Sequence, residues 1–67
     1  MKKYAKNINI GDCIYLWRYT TDSWEVLDKN IDGDHVHFVL RCCDTILNKT
    51  LHSRHILEYY EIEPWMN

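Results

Sequence analysis

Tyr15, Trp17 and Tyr19 recur at every second position of one short run. In an extended chain their three rings project from one side. Exposed rings in such a ladder bind by stacking on peptide prolines, on nucleobases or on a partner's apolar patch. Ile14 and Leu16 occupy the opposite side of the same run. If that aliphatic pair is core, the rings face outward. Two arrangements would cover them: Trp65 and the N-terminal segment folded over the ladder, or a strand turned so that the rings are the core.

His35 and His37 share one side of a second run, Cys42 and Cys43 follow, and His52 and His55 come later. Zinc takes about four N or S ligands in a tetrahedral array. Adjacent cysteines in a strand point to opposite sides, and neither a Cys-x-x-Cys nor a compact His-x-x-x-His with cysteine partners is present. The imidazoles are therefore read as surface groups, and no metal or other cofactor is expected. Cys42 or Cys43 beside His35 or His37 would pair a nucleophile with a base. A domain this small leaves no cleft to exclude water and aim an oxyanion hole, so no enzyme is expected. No Gly-rich phosphate loop occurs. Glu58, Glu61 and Glu63 are expected to form a solvated edge that discourages sheet-to-sheet association, with an acidic contact surface as the alternative.

The elements that must hold these groups are strands. Apolar and polar residues mostly alternate over 13–62 in short runs broken by polar loops, the trace of a small sheet closed on itself. Gly11-Asp12 is a turn signal ahead of a first strand over 13–19. Residues 24–29 follow as a second strand, with Trp24 and Val26 on one side and Glu25, Leu27 and Lys29 on the other. Asp32-Gly33-Asp34 carries the clearest hairpin signal, since Asp-Gly tolerates the positive φ of tight loops. In the run 35–41, Val36, Phe38 and Leu40 alternate with His35, His37, Val39 and Arg41. Residues 46–52 form a weaker strand interrupted by Asn48, Lys49 and Thr50, and Ser53-Arg54-His55-Ile56 suggests one tight helical turn opened by a Ser cap. A last strand covers 57–62 and ends before Pro64. A helix over 47–60 is the rival, but its face of Leu47, Leu51, His55 and Glu58 is poor in apolar groups.

Five short strands with a tight turn before the last resemble a Src-homology-3-type barrel, closest in layout to Tudor-type domains. The residues that carry the resemblance are Gly11-Asp12, Trp24-Glu25-Val26, the run from Asp34 through Leu40, and Ser53-Arg54-His55-Ile56-Leu57, spanning about residues 10–62. Tudor-type domains often hold methylated Lys or Arg in an aromatic cage. The resemblance implies cage positions near the ends of the first and third strands. Trp17 or Tyr19 suits the first; Arg41 and Cys42 stand at the second, where the family has Tyr or Phe.

The chain of 67 residues is expected to be a single all-β domain, a five-stranded barrel over about 10–62 with a polar lead-in at 1–9 and a tail at 63–67. Hydrophobic residues make up 46%, with three Trp and five Tyr, enough large side chains to fold so short a chain. A net charge of −2 and a pI near 6.0 argue against broad nucleic-acid affinity and are too mild for a DNA mimic. Met1-Lys2-Lys3 begins like a signal peptide, but Tyr4-Ala5-Lys6-Asn7 supplies no apolar core, and no run is long enough to span a membrane. Three cysteines, an odd number, fit a reducing cytoplasm.

These features point to a non-enzymatic interaction module. Tyr15, Trp17 and Tyr19 would anchor a protein or peptide, with His37, Val39 and Arg41 beside them. Size alone suggests a phage or mobile-element accessory protein that inhibits or redirects a larger machine. The alternative is single-stranded nucleic acid stacked on the same rings, with Lys2, Lys3, Lys6, Arg18 and Arg41 on phosphates. The chain is expected to be a monomer or an edge-strand homodimer.

Overall fold

A computed structural model describes residues 1–16 and 22–60. Six strands form one antiparallel sheet: β1 (Lys2–Tyr4), β2 (Cys13–Tyr15), β3 (Trp24–Asp32), β4 (His35–Cys42), β5 (Thr45–His52) and β6 (Ile56–Tyr60). Their order across the sheet is β1-β6-β2-β3-β4-β5. Among the described residues no ladder joins β1 to β5, so the expected closed, five-stranded barrel is corrected to an open, six-stranded sheet. No helix among these residues is long and apolar enough to cross a membrane.

β4 follows its sequence pattern directly. Val36, Phe38 and Leu40 are buried, while His35, His37 and Arg41 are exposed and Val39 is half-buried. Two tight loops join β4 to its neighbours. Asp32 pairs with His35 across Gly33-Asp34, and Cys42 pairs with Thr45 across Cys43-Asp44. The first loop residue has φ +59 in one (Gly33) and +54 in the other (Cys43). A positive φ at that position matches the right-handed twist of the flanking strands, and Gly is its usual occupant.

β3 departs from simple alternation. Val26 stands opposite Leu40, but Asp28 is opposite Val39 and Lys29 opposite Phe38, so Leu27 is the extra residue of a bulge. Beyond it the strand's sides are exchanged. Lys29, expected outside with Glu25, lies on the core side and donates to the Lys6 carbonyl at 2.6 Å. Burial and the nearby Lys3 charge lower its pKa, against the pull of Asp12.

The interior is lined by Trp24 and Val26 of β3, the alternating triplet of β4, Ile14 of β2, and Leu57 and Tyr59 of β6. Ala5 and Ile8 are also fully buried. Residues 1–9 are therefore more than a polar lead-in: they supply β1, a 3-10 turn at Ala5–Asn7 and two core side chains. The turn is fixed from outside, because the Ala5 and Lys6 amides donate to the His55 and Ser53 carbonyls at 2.8 and 3.1 Å.

The expected helical turn before the last strand is a hydrogen-bonded reverse turn, with the His55 N–H donating to the His52 carbonyl at 2.9 Å. Asn48, Lys49 and Thr50 do not interrupt β5, which pairs with β4 along its whole length. Strands β5 and β6 replace the rival helix over 47–60.

Gly11-Asp12 turns the chain into β2 as expected. The buried Asp12 carboxylate accepts the Asn9 N–H at 2.8 Å, its carbonyl accepts the Val26 N–H at 2.8 Å, and the Gly11 N–H donates to the Val26 carbonyl at 2.9 Å.

Candidate functional site

The side of the sheet away from the core carries the candidate residues in cross-strand rows. In one row Tyr60 of β6 is opposite Cys13 of β2, Cys13 opposite Glu25 of β3, Glu25 opposite Arg41 of β4, and Arg41 opposite Ile46 of β5. Moving along the strands, Asp28, Val39 and Asn48 form the next row, then Asn30, His37 and Thr50, then Asp32, His35 and His52. With strands about 4.8 Å apart, the Tyr60 row crosses five of the six.

Ile14 is fully buried, Leu16 packs against the core, and Tyr15 is half-buried on the opposite side. The Tyr15 ring meets that of Tyr60 at 5.9 Å between centroids with a 46° tilt, a geometry that favours aromatic pairs. Tyr60 is held by a 3.0 Å hydrogen bond between its hydroxyl and that of Ser23. The Ser23 bond favours the phenolate, but the Cys13 thiol, burial and Tyr15 outweigh it, and the Tyr60 pKa is raised. Trp17 and Tyr19, which would extend the ladder, and Glu61, Glu63 and Trp65 lie outside the described residues.

Arg41 bonds the Glu25 carboxylate through Nη2 at 2.7 Å. Beside this pair a cleft of about 550 Å³ is lined by Cys13, Asp22, Ser23, Glu25, Arg41, Cys42 and Cys43. His37 belongs to the far end of β4, its Nδ1 2.6 Å from the Thr50 hydroxyl and its Nε2 3.8 Å from Asp32. The structure thus brings Arg41 and the Tyr15–Tyr60 pair to one end of the outer surface and leaves His37 at the other, with Val39 between.

The other chemistry-bearing side chains are spread over the sheet. Cys42 packs against the core whereas His37 is on the outer side of β4, so these two do not form a nucleophile–base pair. His35 meets His52 edge-on at 5.8 Å, and His52 Nδ1 accepts the Arg54 N–H at 3.1 Å. Among the described residues no group of three or more His, Cys, Asp or Glu side chains could hold a metal ion. Glu58 is not on a sheet edge: β6 lies between β1 and β2, and Glu58 pairs with Lys2 and Tyr15. Tyr60 and Glu25 were missed as site residues. Alternation along 57–62 places Tyr60 on a side, but only the cross-strand register shows which neighbours it meets.

Compared with protein-family models, with curated proteins and with solved structures, the chain matches none.

Proposed function

We propose that this protein is a non-enzymatic interaction module that binds a protein or peptide through the outer side of its sheet. Tyr15 is the described anchor, Trp17 and Tyr19 follow it at alternate positions of the sequence, and Arg41, Val39 and His37 border the contact. The observation that carries this reading is the half-buried Tyr15–Tyr60 ring pair beside the Arg41–Glu25 pair and its cleft. Rings at a centre with a charged border form the anatomy of a protein interface. The kinship with Src-homology-3-type and Tudor-type barrels belongs to the same proposal, and it is supported by the order β6-β2-β3-β4-β5, in which β1 is an addition.

The acidic character of this surface favours a protein over a nucleic acid. Glu25, Asp28, Asp32 and Glu58 stand on it, and Arg41 is already neutralised by Glu25. Phosphate binding needs free cations and weakens steeply with added salt, whereas burial of rings changes little.

Affinity capture from the native host tests the proposal, comparing the wild type with Trp17→Ala, Tyr19→Ala and Arg41→Ala at low and raised salt. A partner retained in salt and lost by the ring variants supports it. Equal recovery by all four chains, or a partner that is nucleic acid released by salt, overturns it.

A further inference from the structure

The hairpin loop between β4 and β5 sets two cysteines side by side at the mouth of the cleft. Cys43 is the only described residue other than glycine with a positive φ, +54. Left-handed backbone strains a side chain-bearing residue, whose Cβ crowds the following carbonyl oxygen. The corresponding position of the β3–β4 loop is occupied by Gly33. A thiol therefore stands where glycine would be less strained, and inference runs from such an outlier to function. Cys42, the last residue of β4, is half-buried, Cys43 is exposed, both are unbridged, and both line the same cleft.

We propose that Cys42 and Cys43 form a dithiol site that chelates a trivalent arsenic compound. Soft sulfur ligands select soft centres. Zinc would need about four donors, and among the described residues no third metal-binding side chain completes a group with these two. A monosubstituted arsenous compound, R–As=O, has two exchangeable bonds. Two As–S bonds form, the arsenic–oxygen bond breaks, and the oxygen leaves as water with both thiol protons. Arsenic stays trivalent and both sulfurs keep their oxidation state. Burial, with Cys43 and Asp22 adding to it, raises the Cys42 pKa, so that thiol is slower to attack than an ordinary one and the chelate rests on the proximity of its neighbour.

Phenylarsine oxide is the probe, with intact mass as the readout. The wild type and Cys13→Ala should each take one arsenical, retain it in excess glutathione and release it to dithiothreitol. Cys42→Ala and Cys43→Gly should lose it to glutathione, because a single As–S bond exchanges with monothiols. Glycine suits the φ of that loop, so Cys43→Gly keeps the fold, which circular dichroism verifies. Loss of the wild-type adduct to glutathione, or a glutathione-resistant adduct on Cys43→Gly, overturns the proposal.

Discussion

Lys3 reaches Asp12 across the beginning of the chain, its ammonium 3.5 Å from the carboxylate and 4.2 Å from the centroid of the Tyr59 ring. The same carboxylate oxygen accepts the Asn9 amide at 2.8 Å. One buried acid thus ties the N-terminal segment to the turn that opens β2, at the margin of the core.

Asp12→Ala leaves the Asn9 amide and the Lys3 ammonium without their acceptor. Loss of a buried partner costs about 1–3 kcal/mol. A urea midpoint lowered by that amount is expected, with a smaller loss in Asp12→Asn, which keeps an acceptor oxygen. An unchanged midpoint for Asp12→Ala would show that the N-terminal segment is held without it.

Ile8→Ala removes a fully buried side chain. Such truncations cost about 2–5 kcal/mol, a large share of the stability of a small domain. Thermal unfolding should show a strongly lowered midpoint or no folded baseline. Ile10→Ala is the control, since Ile10 is 61% exposed.

The two hairpin loops should respond in opposite directions. Cys43→Gly relieves about 1–2 kcal/mol of left-handed strain, less roughly 0.5–1 kcal/mol for the freer unfolded glycine. The two terms leave a net gain of at most about 1.5 kcal/mol, centred on ~0.7 kcal/mol. Gly33→Ala meets no atom within 4 Å, so its effect is conformational alone, a loss of about 1 kcal/mol or more. Chemical denaturation of both variants measures the contrast, and equal signs would refute it.

Stability on the alkaline side has opposed contributions. Tyr60 and Cys42 are held above their ordinary 10.0 and 9.0, so the folded chain keeps protons that the unfolded chain has released. Their contribution is whole below 9.0 and is lost as pH rises through the folded values. Lys29 is held below 10.5, so the folded chain sheds that proton first and stability gains as pH approaches 10.5. Tyr60→Phe should flatten the alkaline fall and Lys29→Met should steepen it, as read from urea midpoints collected from neutral pH to above 10.5.

β4 and its hairpin at Gly33 were legible because strict alternation, a Gly in the loop and a two-sided environment all agree there. Gly11-Asp12 and the inward pair Ile14 and Leu16 were legible for the same reason. The N-terminal strand was not: Lys2 and Lys3 look solvated, and only pairing with Glu58 and Leu57 makes them a strand. Nor was the continuity of β5, whose Asn48 and Thr50 face outward and whose Lys49, opposite Phe38, is half-buried. The bulge escaped because Leu27 suits either side of β3. At the site, outward placement of Tyr15, Val39 and Arg41 followed from alternation, whereas the meeting of Tyr60 with Tyr15 depends on register between β2 and β6.

The surplus residue at Leu27 gives β3 one position that can be removed without disturbing the pairing on either side of it. Excising that one position would restore even spacing between Val26 and Asp28. Val26 and Asp28 would then be neighbours on opposite sides, Lys29 would remain opposite Phe38, and every side chain from Asp28 to Asp32 would keep its present side. Substitution and excision at Leu27 are alike local matters, because the residues beyond it already pair with consecutive residues of β4.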